Sequence, residues 1–396
     1  LILTLISFLM SCAEQEEILN AEELAQELLI IDSHIDVPYR LWRQNLNGLE
    51  IENISVSTKG DFDFIRARKG GLNVPFFSIY LPASTQEDGT SHDMAKELID
   101  MIEDIVTLHS DKFFLVKSVD DLSSLTKTNK IGIALGMENG APIQGDLSRV
   151  KYYFDRGIRY ITLTHSKSNH ISDSSYDDDI QWEGLSDFGK SLIKEMNKVG
   201  IMIDVSHVND EAFYQAVELS QVPVIASHSS LRYFTPGFER NVDDEMLKKL
   251  AEKGGVLQIN FGSSFINQRS RDYVDQVNNY LDKKFGLERR GVSQREIVKA
   301  RNEFVQNNPY PFATINEVLD HFDRVVSLVG VDHVGIGSDY DGVGDTLPIG
   351  LKDVSTYPTL IKGLLERGYS KEDLEKILGG NLVRVWLEVE TYASQN

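Results

Sequence analysis

Cysteine is almost absent: Cys12 is the only one in 396 residues. No intramolecular disulfide can form, and a cysteine-built zinc cluster is excluded, so any metal held here must use histidine and carboxylates. Membrane-spanning apolar runs are missing as well, because the uncharged run at residues 1–10 is about half of what a bilayer helix requires. Positive charge is scarce: 40 Lys and Arg against 61 Asp and Glu leave a net charge of −21. Such a surface repels phosphate backbones and anionic head groups, which argues against nucleic acid as a partner. With 10 Pro, 29 Gly and 41% hydrophobic residues, the composition is far from disordered or collagen-like chains and supplies a large core. Proline-, glycine- or serine-rich linkers, internal repeats and low-complexity tracts are absent too, so one domain accounts for nearly the whole sequence.

What is present begins at the N-terminus. Residues 1–10 lead into Leu9-Met10-Ser11-Cys12 and then the polar Ala13-Glu14-Gln15-Glu16-Glu17. The run reads as the apolar part of a secretory signal whose start and basic region lie outside the sequence. Leu-x-Ser-Cys resembles the lipobox of bacterial lipoproteins, in which the cysteine becomes the lipidated first residue; an ordinary signal peptide with a chance cysteine is the plainer alternative. The expected organisation is a truncated signal peptide over residues 1–11, a lead-in over 13–28 and a folded domain over 29–392. The protein is expected to be exported and lipid-anchored through Cys12 on the periplasmic or outer face of a bacterial cell envelope.

Short apolar, β-branched runs recur with helical patterns between them, the alternation of a parallel α/β sheet. They fall at residues 29–36, 75–80, 131–139, 160–165, 201–207, 224–228, 255–261 and 333–339. Between the later ones, residues 189–199, 210–219 and 243–253 have helical spacing, with Gly200 and Gly254 as stops. Eight strands with helical crossovers predict an α/β fold of one closed (β/α)8 barrel. Two stretches exceed a minimal barrel: residues 47–71 after the first strand and 268–311 after the seventh. The second carries Arg269, Arg271, Lys283, Lys284, Arg289 and Arg290 and reads as a charged helical insertion over the barrel mouth, although such runs are usually solvated faces.

Catalytic groups of such barrels sit where strands end at the C-terminal face, because the βα loops converge there. The first strand ends in His34-Ile35-Asp36, whose alternation puts His34 and Asp36 on one face. Other strands end at Glu138, His165, His207, His228 and Asp339. A single such residue is more often a satisfied polar group or a helix cap than a ligand. The set is harder to dismiss, since four of nine histidines fall at four different strand ends while His92, His109, His170, His321 and His333 lie elsewhere. Histidines with carboxylates form the N/O donor set that suits Zn²⁺ and related divalent ions.

In order, His34-x-Asp36, Gly136-Met137-Glu138-Asn139-Gly140, Leu163-Thr164-His165, Asp204-Val205-Ser206-His207, Ser227-His228-Ser229-Ser230, Arg240-Asn241-Val242 and Gly337-Ser338-Asp339-Tyr340-Asp341-Gly342 resemble the renal (membrane) dipeptidase family of zinc peptidases. The resemblance runs from about Ile31 to Trp386 and includes Gly380-Asn381-Leu382-x-Arg384. It implies hydrolysis of dipeptides, those with a C-terminal D-residue included, at two Zn²⁺ ions per chain. His34, Asp36 and Glu138 would hold one ion and Glu138, His207 and His228 the other, bridged by Glu138 and a water or hydroxide that the ions acidify. By the same resemblance His165 would stabilise the oxyanion, Arg240 would bind the substrate's terminal carboxylate through its bidentate fork, and Asp339 would shuttle the proton to the leaving amine. The partner is then a dipeptide substrate, with the membrane touched only through the lipid anchor. A homodimer is compatible with the pattern and not specified by it.

Two positions depart from the family. Glu138-Asn139-Gly140 stands where members commonly read Glu-Gly-Gly, which predicts a less free backbone after the bridging ligand. Phe265 stands where some animal members place a tyrosine near the substrate carboxylate, which would leave Arg240 with less help. The rival readings are another binuclear metal amidohydrolase, such as a lactonase or amidase, and a non-catalytic lipid-anchored binding protein. Amidohydrolases of that kind typically open with His-x-His and bridge through a carbamylated lysine, whereas this chain has His34-x-Asp36 and ends its fourth strand in His165. A binding protein has no reason to keep every ligand and Asp339 as well.

Overall fold

The computed structural model describes residues 20–286 and 292–396. Among these residues nine strands form: β1 (Ile30–Ile35), β2 (Leu72–Tyr80), β3 (Phe113–Leu115), β4 (Ile131–Glu138), β5 (Ile158–Thr162), β6 (Met202–Asp204), β7 (Ile225–Ser229), β8 (Val256–Ile259) and β9 (Val334–Ile336). All strand pairings are parallel, in the order β1-β2-β4-β5-β6-β7-β8-β9, with β3 added outside β4. The last strand returns to the first: Asp36 N–H donates to the Tyr340 carbonyl at 2.9 Å and Asp339 N–H to the His34 carbonyl at 3.0 Å. The result is a nearly closed eight-stranded barrel wrapped in helices, as the eight apolar runs predict.

These runs are legible because a parallel strand between a barrel interior and an outer helix is buried on both faces. β1 and β4 are buried at every position. The helices between the later strands begin where hydrogen-bonding side chains cap them: Ser186 before Asp187–Val199, Asn209 before Asp210–Leu219 and Asp243 before Asp244–Glu252. Gly200, with φ of 94°, ends the first of these in the left-handed conformation that favours glycine.

Three details differ from the sequence reading. β3 was not anticipated; three residues cannot display an alternation, and its partner is the N-terminal end of β4, Ile131 to Ile133. β2 starts three residues before Pro75 rather than at it, and the β1–β2 register shifts on both sides of the Asp32–Pro75 pair, which accommodates a residue with no N–H. The strands expected to run through to His165, His207 and Asp339 stop at Thr162, Asp204 and Ile336, for a reason visible at the site.

The barrel is plugged at one end only. Leu382, Val385, Trp386 and Val389 of the C-terminal helix Asn381–Gln395 pack against Ile31, Val74, Phe76, Tyr160, Met202, Ile225 and Val256 from the strands. Polar chemistry is thereby confined to the opposite mouth. Both extra segments reach that mouth. The first is tied to the β9 loop by reciprocal bonds, Asp61 N–H to Asp341 Oδ1 at 2.7 Å and Asp341 N–H to Asp61 Oδ2 at 2.8 Å. The second forms helices Gln268–Phe285 and Gln294–Asn307 around Tyr273, Val277, Leu281 and Ala300. Its charges are partly spent locally, Lys284 on Glu303 at 2.8 Å and Arg271 over the Phe238 ring. Arg289 and Arg290, like Cys12 and residues 1–11, where a signal peptide is expected, lie outside the described residues. Among the described residues no helix is long and apolar enough to cross a membrane.

Candidate active site

The site is built from the ends of six barrel strands. His34 lies on β1 and Asp36 begins the helix Val37–Leu46; Glu138 closes β4 and His228 lies within β7. His165, His207 and Asp339 stand in the loops after β5, β6 and β9. For two of them the backbone itself explains the early strand end: φ is 71° at His207 and 63° at Asp339, left-handed values that cannot continue a strand. Such strain in non-glycine residues persists only where the surroundings over-determine it, and it concentrates at functional sites. Asn139, at φ of 83°, solves the backbone question raised by its replacing glycine. Asparagine tolerates this region, and its side chain is fixed by bonds to the Leu81 carbonyl, Ala141 N–H and Asn169.

Glu138 is the centre. Its Oε2 lies 3.4 Å from His34 Nε2 and accepts from the Ser78 hydroxyl at 3.0 Å. Its Oε1 faces His207, His165 and His228 Nε2 at 3.1, 3.3 and 3.3 Å. His34 Nε2 is also 3.5 Å from Asp36 Oδ2, and His207 and His228 bring their Nε2 atoms to 2.9 Å. Three groups of potential ligand atoms therefore converge: His34, Glu138 and His228; Glu138, His165 and His207; His34, Asp36 and Asp339. The structure brings together all five expected ligands, with His165 and Asp339 beside them.

Electrostatics agree with a cation site. Burial opposes ionisation of Glu138, yet His34 and His165 hold its carboxyl well below the usual range. Burial, with Arg240 nearby, keeps His207 and His228 well below the ordinary imidazole value, so their lone pairs are free to bind. Burial and the neighbouring Asp36 push Asp339 up to about 7, while Asn260 Nδ2 donates to its Oδ2 at 2.7 Å. The buried His34 Nε2 has no hydrogen-bond partner, which suits a nitrogen aimed at a metal.

Hydrogen bonds beneath the cluster fix how it points. Ser227 Oγ donates to Asp204 Oδ2 at 2.6 Å, so toward His228 Nδ1, 2.7 Å away, it must accept. His228 then carries its proton on Nδ1 and turns a bare Nε2 to Glu138's side of the site. Asp204 Oδ1 also takes the N–H groups of Ser206 and Ser227 at 3.0 and 2.8 Å. On the other flank His34 Nδ1 meets the Tyr160 hydroxyl at 2.8 Å. Asp32 Oδ1 accepts from His34 and Ser338 N–H at 3.1 and 3.0 Å, joining the strands on either side of the barrel seam. The sequence reading singled out none of Asp32, Tyr160, Ser227 or Asn260. The signal for Asp32 was present, since Asp32-x-His34-x-Asp36 continues one alternation by a further step.

A cavity of about 540 Å³ opens above the cluster, lined by Asp36, Glu138, His165, His207 and Asp339 at its floor and by Tyr39, Arg43, Tyr80, Tyr176, Phe265, Val274 and Tyr310 on its walls. That volume admits a small molecule. Arg240 stands behind the wall rather than in it. It is buried, donating to Ser229 Oγ at 2.6 Å and the His228 carbonyl at 2.8 Å, with Nε unpaired and the guanidinium 5.4 Å from the Phe265 ring.

The sequence profile of the family described as Membrane dipeptidase (Peptidase family M19) matches residues 18–396. The chain belongs to the membrane dipeptidase family. It is 32% identical over 375 residues to Dipeptidase 3 of Mus musculus, covering 94% of this chain and 66% of that protein. An uncharacterized dipeptidase of Schizosaccharomyces pombe is 32% identical over 388 residues, 94% of this chain and 83% of its own. Among solved structures, the probable dipeptidase PvdM from Pseudomonas aeruginosa superposes with a TM-score of 0.81 at 27% identity, over 94% of this chain and 98% of that one. The chain thus spans just under two thirds of the mouse relative's length. Both curated relatives are named as dipeptidases.

For this membrane dipeptidase family member, the Asp204–Ser227–His228 relay predicts a measurable metal phenotype. Ser227→Ala should weaken retention of divalent metal roughly 10- to 100-fold in chelator competition, and Ser227→Thr should restore it. Equal retention by wild type and Ser227→Ala would show that the relay does not orient His228.

Proposed function

We propose that this chain is a zinc-dependent dipeptidase holding two Zn²⁺, with His34, Asp36 and Glu138 toward one ion and Glu138, His207 and His228 toward the other. The observation that carries the reading is the division of Glu138: one oxygen faces His34 and the other faces His207 and His228, the arrangement of a carboxylate shared by two cations. When bound, the ions would supply Lewis acidity and an acidified water at neutral pH.

The chain's own residues do the rest. His165 has the most accessible side chain of the four clustered histidines, 18% exposed, and it lines the cavity; that position suits hydrogen bonding to the oxyanion as the peptide carbonyl is attacked. Asp339, with Oδ2 held by Asn260, suits proton transfer to the departing amine. Arg240 would fix the substrate's free carboxylate. Its two described bonds leave three of five guanidinium N–H groups, Nε among them, for that purpose. Phe265 offers a ring and no hydroxyl to assist. Carboxylates on the floor at one side and Arg240 at the other specify both charged ends of the substrate, and a dipeptide is the length that presents both. C-terminal D-residues belong to the proposed range on the family resemblance.

Kinetics of the zinc-loaded protein on L,L- and L,D-dipeptides, their C-terminal amides and matched tripeptides test this. Free dipeptides should turn over, and amidation should cost about 1.5–3 kcal/mol, roughly tenfold to a hundredfold in kcat/KM. Arg240→Ala should lose a similar factor on free dipeptides and little more on amides. Equal turnover of dipeptides and tripeptides, or an undiminished Arg240→Ala effect on amides, would overturn the assignment.

We further propose lipid anchoring at Cys12, supported by the Leu9-Met10-Ser11-Cys12 pattern. Two or more acyl chains there would anchor the protein stably on the cell envelope. Mass spectrometry of the mature N-terminus should find acylated Cys12; an unmodified Cys12 or cleavage beyond it would refute the anchor.

A further inference from the structure

Among the described residues lining the cavity, Arg43 is the only lysine or arginine. It sits on the helix Val37–Leu46, which Asp36 begins. Three residues earlier, Arg40 is consumed by acidic neighbours, pairing with Glu52 and, through Nε, with Asp341 Oδ2 at 3.0 Å. Arg43 forms no ion pair or side-chain hydrogen bond among the described residues. It is exposed, with its guanidinium carbon 6.0 Å from the centre of the Tyr39 ring. That ring belongs to an aromatic wall leading down to the site: Tyr39 meets Tyr80 edge-on at 4.8 Å, and Tyr80 meets His165 at 4.7 Å. An uncommitted cation, steadied by an aromatic face, thus overlooks the path to the reacting carbonyl.

Which end of a dipeptide lies beneath it follows from charge. Asp36, which begins the helix carrying Arg43, meets Asp339 beside Gly342 at the cavity floor, while Asp341 is already paired with Arg40. A free α-ammonium is drawn to Asp339 at the foot of the Arg43 helix and away from the guanidinium of Arg240 in the loop after β7. The side chain of the residue bearing that ammonium is then the one within reach of Arg43.

We propose that Arg43 is a specificity-determining residue that selects dipeptides whose N-terminal residue carries an acidic side chain. This rests on the dipeptidase reading above. Any guanidinium–carboxylate pair formed at this exposed rim is worth only a modest factor in water, so the effect is a preference and not an absolute requirement.

The test compares kcat/KM of the zinc-loaded wild type, Arg43→Gln and Arg43→Glu on Glu-Ala, Gln-Ala and Lys-Ala, with Ala-Glu and Ala-Lys as the positional control. Wild type should favour Glu-Ala over Lys-Ala by roughly fivefold, mostly in KM, and less so at high salt. Arg43→Gln should erase the preference and Arg43→Glu should reverse it, while the Ala-Glu to Ala-Lys ratio stays the same in all three proteins. Turnover with a Glu-Ala to Lys-Ala ratio that is the same in all three proteins overturns this proposal alone. A reversal seen in the Ala-X pair instead overturns the assignment to the N-terminal residue. No turnover of any dipeptide overturns the dipeptidase reading and this proposal with it.

Discussion

One carboxylate organises the mouth of the barrel. Glu138 is buried at the end of β4 with four imidazoles around its two oxygens. Removing such a group from water costs several kcal/mol unless compensating charge is supplied, and unpaired it would favour unfolding. The histidines that supply the setting are themselves kept near neutral at His207 and His228 by burial. A buried carboxylate of this kind needs positive charge beside it: His34, held well above the ordinary imidazole value by its acidic neighbours, can supply it, and a divalent cation among the same donors would do so as well.

The rest of the fold serves that constraint. A plugged barrel bottom, with Trp386 packed against Phe76, leaves a single polar end. Below the donor atoms lies a second layer of buried carboxylates: Asp32 binds backbone on both sides of the barrel seam, and Asp204 accepts from Thr162, Ser206 and Ser227. The left-handed residues His207 and Asp339 store strain above this layer. Outside it, the Asp61–Asp341 clasp holds the β9 loop, and hence Asp339, against the segment after the first strand.

What the sequence revealed and what it concealed have separate physical causes. Strands buried on both faces announce themselves as apolar runs, and chemistry at their ends follows from barrel geometry; His34, Asp36, Glu138 and His228 were readable on that basis. Strand ends were overestimated at His207 and Asp339, because a left-handed histidine or aspartate carries no mark that a glycine would give, and at His165, which stands in the loop after β5. Asp204 was visible within a motif but not its use, since a carboxylate that orients a serine reads like any strand-end acid. Tyr160 reads as core until its hydroxyl is seen against His34. Arg43 reads as one more solvated helix charge until it is seen, among the described residues, to be the one lysine or arginine lining the cavity.

Metal analysis of the reconstituted protein tests the central claim most directly, comparing wild type with Glu138→Gln, Asp36→Asn and His207→Gln. A shared Glu138 predicts about two ions per wild-type chain and a larger loss in Glu138→Gln than in either of the one-sided variants. No more than one ion per wild-type chain, or a Glu138→Gln protein that holds as much metal as wild type, would contradict it.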